Sequence, residues 1–118
     1  LNMWPMSFSE GSSSHDSSLK IVGLSSQYLV SEPIEVEIKI NDSSFSCGDL
    51  YITIYTSEKS DVVTQGGFFN QCIKNGNLFP IDDKFSKVIT IPGSYQLVAD
   101  LVSTDLSNIS VSGTFTVK

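Results

Sequence analysis

The chain is predicted to fold as an all-β, antiparallel sandwich of about seven or eight strands behind an extended N-terminal tail. Three observations predict it. Apolar residues recur with period two in several segments, and no segment keeps helical spacing over about ten residues. Clusters of Pro, Gly, Asn, Asp and Ser separate these segments about every 8–12 residues. The composition is 40% hydrophobic but only 17% charged, and Ser and Thr take up the polar positions, which suits an exported β domain better than a cytosolic helical one. A closed barrel is the second reading, disfavoured by uneven strand lengths and frequent Pro and Gly.

The elements follow in order. Residues 1–18 form a tail: an apolar opening, Leu1 to Phe8 with the chain's single Trp, then the Gly/Ser-rich stretch Ser9–Ser18, which has linker composition. The domain is expected at 19–118. Leu19–Leu24 reads as an edge strand and Gln27–Val30 as a second short one. After Pro33, Ile34, Val36, Ile38 and Ile40 alternate with Glu35, Glu37 and Lys39. Slipping this register by one residue would expose four branched aliphatics at about 1.5–3 kcal/mol each, so the pattern fixes it. In Phe45–Tyr55, Leu50, Ile52 and Ile54 share one face and Tyr51, Thr53 and Tyr55 the other. Both faces are apolar or aromatic, so this strand is expected to be central and covered on both sides. Val62–Ile73 is interrupted by Gly66-Gly67 and reads as two short strands or one kinked strand. Lys74–Asn77 is a turn, and Phe85–Ile91 another strand. Finally Tyr95, Leu97, Ala99 and Leu101, then Ile109, Val111, Gly113, Phe115 and Val117, alternate on either side of a polar loop: a long hairpin.

Charge and cysteine usage bound the function. A net charge of −6 with seven scattered Lys/Arg disfavours nucleic acid and anionic membrane surfaces, which need clustered cations. No apolar run is long enough to span a membrane. Two cysteines and one histidine are too few for a structural zinc site. Cys47 and Cys72 are therefore expected to form a disulfide rather than remain two buried thiols. Closing a loop of about 25 residues would contribute roughly 3.5 kcal/mol and imply an oxidising compartment. Asn41-Asp-Ser and Asn108-Ile-Ser are possible N-glycosylation sequons. The chain opens on Leu rather than Met, so a removed signal peptide or an excised fragment is expected.

At Pro92-Gly-Ser-Tyr95-Gln-Leu97, running on to Gly113-Thr-Phe-Thr-Val117, the chain resembles the last two strands of immunoglobulin-like domains. The resemblance implies a tyrosine corner at Tyr95, its hydroxyl bonding back to the chain. The antibody pattern is absent, because Cys47 precedes its strand and Trp4 lies outside the domain. The Phe45-Ser-Cys-Gly-Asp-Leu-Tyr block, with Cys72, is similar to small exported immunoglobulin-like proteins of archaea. Related surface sandwiches of archaea and bacteria build filaments by donating an N-terminal strand to a neighbour. That resemblance implies a cell-surface or extracellular homopolymer here.

The residues with chemistry to offer each have a structural role to set beside it. Ser14, His15 and Asp16 are sequence neighbours in the linker, not a triad held by a frame. One histidine is too few for a blue-copper site. Asp82 with Asp83, or Asp42 with Asp49, could offer oxygens to Ca²⁺, but no calcium loop motif is present. Glu10, Glu32, Glu35, Glu37 and Glu58 occupy linker, turn or solvent-facing positions, which does not suggest a glycosidase pair. Tyr51 and Tyr55 could make a carbohydrate platform, but packing against the opposing sheet is expected. No catalytic residue, metal or cofactor is expected, and the chain reads as non-enzymatic.

The tail carries the functional expectation. If extended, Asn2, Trp4, Met6 and Phe8 share one face, with Leu1 and Met3 on the other. Leu1, Met3, Trp4, Met6 and Phe8 are the expected assembly residues. Their burial would contribute on the order of 8–12 kcal/mol, against about 8–16 kcal/mol for ordering eight residues. Backbone hydrogen bonds worth roughly 1 kcal/mol each must then decide the balance, so the tail needs a preformed site. Donation to a neighbour, folding back on its own domain and remaining unbound are the three outcomes, with donation expected. The competing function is a monomeric binding or adhesion module acting through Thr56–Asp61 or Lys74–Asp83.

Overall fold

A computed structural model of the chain describes residues 18–41, 45–58, 60–104 and 108–118. The tail residues 1–17, and with them the assembly residues and His15, lie outside the described residues, as does Asp42. The described residues form nine strands: β1 (Leu19–Val22), β2 (Gln27–Tyr28), β3 (Pro33–Ile40), β4 (Cys47–Thr56), β5 (Val62–Cys72), β6 (Leu78–Phe79), β7 (Phe85–Val88), β8 (Gly93–Ser103) and β9 (Asn108–Val117), with one 3₁₀ turn at Ile73–Asn75.

Two open sheets face each other. In the first, β3 is central, with β1 along one side and β6 and β7 in succession along the other. The second runs β2-β9-β8-β4-β5. Every pairing is antiparallel except β2 with β9, which is parallel. The fold is therefore an all-β sandwich rather than a closed barrel. The alternation of β3 decides its orientation, because Ile34, Val36, Ile38 and Ile40 are all at most 2% exposed. Leu50, Ile52 and Ile54 of β4 and Leu97, Ala99 and Leu101 of β8 meet them from the other sheet, all fully buried. Phe79 and Phe85 close the interior beneath β6 and β7.

Several elements differ from expectation for local reasons. The first strand stops at Val22, because Gly23 takes φ +94°, a left-handed conformation that ends pairing. Leu24 then turns inward over β9. A Cβ on Gly113 would stand 2.7 Å from Leu24 Cδ2, which explains a glycine in the inward row. The second short strand covers only Gln27–Tyr28, and the strand expected at Phe85–Ile91 ends at Val88. β6, only two residues long, has no signal in the sequence. Val62–Cys72 is one strand, the second of its two expected forms, with register shifts opposite Gly48/Leu50 and Ile54/Tyr55. Gly66 does not break it, because β4 supplies a full hydrogen-bonding partner and the Phe85 ring occupies the space a side chain would need.

The expectation that β4 is covered on both faces is corrected. Its aliphatic row faces the core, while Tyr51 and Tyr55 are half-buried on the outer face. They do not pack against the opposing sheet. Thr53, between them, is 1% exposed because neighbours on the same face enclose it, and its Oγ1 accepts a 2.8 Å hydrogen bond from Gln65 Nε2.

Candidate functional site

Strand order places β5 at the edge of the larger sheet, with β4 on one side and no strand on the other among the described residues. It is 11 residues long, whereas the other outer strands, β1, β2, β6 and β7, have two to four residues. Edge strands are usually blunted by short length, Lys, Pro or bulges. β5 contains no Lys or Pro and leaves Val62, Val63 and Phe69 exposed at 61%, 41% and 59%. Only the bulges interrupt it. At one of them Asn70 adopts φ +56° and its N–H donates to Asp49 Oδ1 at 3.1 Å.

The disulfide sets the far end of this edge. Cys47 and Cys72 are direct cross-strand partners and are bonded, bridging β4 to β5 within one sheet. The bridge therefore clamps the edge strand to its neighbour rather than tying the two sheets together.

Beside the edge lies an aromatic patch on the outer face. Phe69 folds across Gly67, whose Cβ would meet the ring at 3.2 Å, and stands edge-on to Tyr51 with centroids 5.9 Å apart. Val62 pairs with Tyr55. On β8, Val98 and Val102 flank Asp100, which pairs with Tyr51 on one side and Ser110 on the other. Burial among these side chains pushes the Asp100 carboxyl above its usual 3.8. Period two could identify the residues sharing this face, but strand order alone reveals that no second layer among the described residues covers it.

The remaining candidates are dispersed. Glu35 accepts from Ser86 Oγ at 3.1 Å and meets Lys84 at 3.9 Å, while Glu32 accepts from Leu29 N. Asp83 accepts from the Lys84 N–H. Among the described residues no three or more His, Cys, Asp and Glu side chains converge as a metal-binding group. A shallow open depression lies among Glu37, Asn77, Pro80, Asp82, Asp83 and Lys84, in the loop region that the sequence singles out. Asn41 and Asn108 are both exposed, just past β3 and at the start of β9. No helix among the described residues is long and apolar enough to cross a membrane.

No protein-family model matches the chain, and no curated protein is similar to it in sequence. Solved structures do share its fold. The soluble domain of PmoD from a Methylocystis species superposes with a TM-score of 0.56 at 9% identity, over 79% of this chain and 78% of that one. Superoxide reductase (neelaredoxin) from Ignicoccus hospitalis superposes with a TM-score of 0.55 at 12% identity, over 90% and 83%. A point variant of that reductase gives 0.56 at 14% identity, over 86% and 80%. These likenesses concern the fold, and neither protein's name is that of a filament subunit. They correct the expectation of a non-enzymatic chain, because a sandwich of this shape is shared with an enzyme.

Proposed function

We propose that this chain is an exported assembly subunit, joined to its neighbours by strand addition at the free edge of β5. The observation that carries this reading is the length of that edge: 11 residues, exposed apolar side chains and no partner strand among the described residues. An extended segment added there would gain a ladder of backbone hydrogen bonds, with alternate side chains supplying specificity. The apolar Leu1–Phe8 segment has suitable length and chemistry.

Geometry supports a neighbour as donor. Ser18 lies at the disulfide end of the sandwich, where its carbonyl accepts from Asn41 N–H just past β3. β5 runs toward that same end. To pair antiparallel with its own β5, residue 8 would have to sit at the far end of the strand. The linker would then cover about 27 Å along the strand, about 19 Å across the four strand spacings from β9 to a strand added outside β5, and about 10 Å between sheets. That is roughly 35 Å, beyond the about 33 Å that ten extended residues span. The tail of another copy carries no such constraint, and antiparallel pairing is the more stable form. The disulfide fits an oxidising, extracellular setting, and the exposed Asn41 and Asn108 are accessible for glycosylation there. The strand plan and the Tyr95 hydrogen bond to Ile91 support an immunoglobulin-like module. Electron microscopy of the full chain and of a chain lacking residues 1–8, both in high salt where contacts between charged faces are screened, tests the reading. Filaments from the full chain and folded single particles from the deletion are expected; filaments from the deletion would end it.

A second reading, a binding module acting through the Asn77–Lys84 loop, is favoured by the open depression there. It predicts discrete particles from the full chain.

A further inference from the structure

The two outer faces of the sandwich differ in charge. β4, β5, β8 and β9 contain neither Lys nor Arg, and their outer face carries two carboxylates. Asp49 and Asp100 are diagonal neighbours there, since Asp49 pairs with Val102 and Asp100 with Tyr51. Tyr51, Phe69, Val98 and Val102 surround them, and each is at least partly exposed. The opposite outer face belongs to β1 and β3, where Lys20 pairs directly with Lys39. Like charges at opposed positions repel. Among the described residues the one ion pair is Lys84 with Glu35, so neither lysine has a carboxylate partner. Glu37, two residues from Lys39 on the same strand, is the nearest acid in sequence on that face.

Both pairs lie at the same end of the molecule. Lys39 is one residue from the end of β3, and Asp49 is two residues past the start of β4, at the disulfide. They also align laterally: β1 packs over β9, with Ile21 and Leu24 beside Gly113, which sets β3 over β8. A copy displaced along the sheet normal without rotation therefore brings its Lys20 and Lys39 over the Asp49 and Asp100 of the copy below, within about one strand spacing of ~5 Å.

We infer that the outer face of the five-stranded sheet docks the Lys20–Lys39 face of a second copy of this chain, back to front. The Lys39 stem lies over the Tyr51 ring, and the two ammonium groups reach the two carboxylates. The desolvated Asp100 has no cation on its own sheet, and the incoming lysine supplies one. Because the contact is heterologous and related by translation, each docked copy leaves a free face and the stack stays open. The inference goes beyond strand addition: it joins faces rather than edges and uses no residue of the tail.

Zero-length carbodiimide cross-linking of the full chain tests it, with equal amounts of ¹⁴N and ¹⁵N protein mixed. Amide links between Lys20 or Lys39 of one isotope and Asp49 or Asp100 of the other are expected. Links confined to other pairs, or to one molecule, would overturn the inference. Charge exchange gives a second measurement. K20E/K39E and D49K/D100K should each lose self-stacking by roughly tenfold or more in affinity, and an equal mixture should recover it. General electrostatics makes the opposite forecast, because D49K/D100K brings the net charge from −6 to about −2 and lowers repulsion between copies. Self-association of D49K/D100K as strong as wild type would therefore also refute the contact. Circular dichroism checks that each variant is folded. If D49K/D100K fails to fold, K20E/K39E serves alone: it retains the acidic face and should shorten wild-type stacks by capping them. Tail deletion leaves the cross-links in place, so failure of strand addition and failure of stacking are told apart.

Discussion

The Tyr95 hydroxyl donates a 2.6 Å hydrogen bond to the Ile91 carbonyl oxygen, and its ring stacks on Phe115 with centroids 5.6 Å apart. Phe115 in turn meets Tyr28 edge-on at 5.6 Å, so one aromatic column ties β2, β8 and β9 together. The hydroxyl secures the turn from β7 into β8, and the ring fills the core beneath it. Replacing Tyr95 with Phe keeps the stack and removes only the bond. A loss of about 1–2 kcal/mol in urea unfolding is expected, with the m-value unchanged. Tyr95→Ala should cost about 3–5 kcal/mol because the ring is lost too.

The Cys47–Cys72 bridge closes a loop with a sequence separation of 25, worth roughly 3.5 kcal/mol in the loop-entropy model. Because it joins adjacent strands, its removal should loosen the edge first and leave the core intact. In C47S/C72S the amides of Asn70–Cys72 are expected to exchange hydrogen far faster, while those of β8 change only with global stability. Uniform acceleration across both sheets would show that the bridge holds the whole sandwich.

Gly48 follows Cys47 and faces β8. A Cβ there would run into the Val102 carbonyl oxygen and the Ser103 Cα, both of them backbone and unable to swing aside. Gly48→Ala is expected to cost about 2–3 kcal/mol by forcing β4 from β8. Gly113→Ala meets only the ends of the Leu24 and Ile21 side chains, which can rotate, so it should cost less. Thermal melts of the two variants measure the order.

Burial raises the Asp100 carboxyl above 3.8, so the folded state holds its proton more tightly than the unfolded state. Stability from this group is then greatest at low pH and falls as pH rises from 3.8 through the raised value, remaining reduced above it. Asp100→Asn removes that penalty. In dilute, unstacked protein the variant should melt above wild type at pH 7, and the difference should vanish near pH ~3, where both states are protonated. A lower melting temperature at pH 7 would show that the carboxylate is held by a favourable contact instead.

What the sequence makes legible here is local. The period-two pattern of β3 and of the β8–β9 hairpin identifies strands and their buried rows, and the two cysteines identify each other once zinc is excluded. Three features depend on information no segment contains. The faces of β4 are both apolar, so alternation separates Tyr51 from Ile52 without saying which looks inward; the opposing sheet decides. Gly66 and Gly67 look like a break, but the rings of Phe85 and Phe69 occupy their space and β4 holds their backbone. The edge position of β5 follows from strand order, which is set by pairing between segments distant in the chain. β6 has only two residues, too few for any periodicity.

The β5 edge gives the most direct test of strand addition. Val63 is 41% exposed next to the bulge opposite Ile54/Tyr55, so a lysine there reaches solvent without entering the core. Charged edge residues oppose further pairing by keeping an ammonium where an added strand must desolvate it. In high salt, which screens contacts between charged faces, Val63→Lys should leave the unfolding free energy within about 0.5 kcal/mol of wild type yet abolish filaments. Mixing this variant with wild type should shorten filaments, because its intact tail still adds to a wild-type edge while its own edge accepts nothing. A chain lacking residues 1–8 should behave in the complementary way, accepting a wild-type tail and donating none. Mixing Val63→Lys with the deletion should then give only terminated pairs: the tail of the first seats on the β5 of the second, and growth stops in both directions. Sedimentation velocity separates that pair from both monomers and from filaments. Filaments from Val63→Lys alone would place the acceptor on another strand.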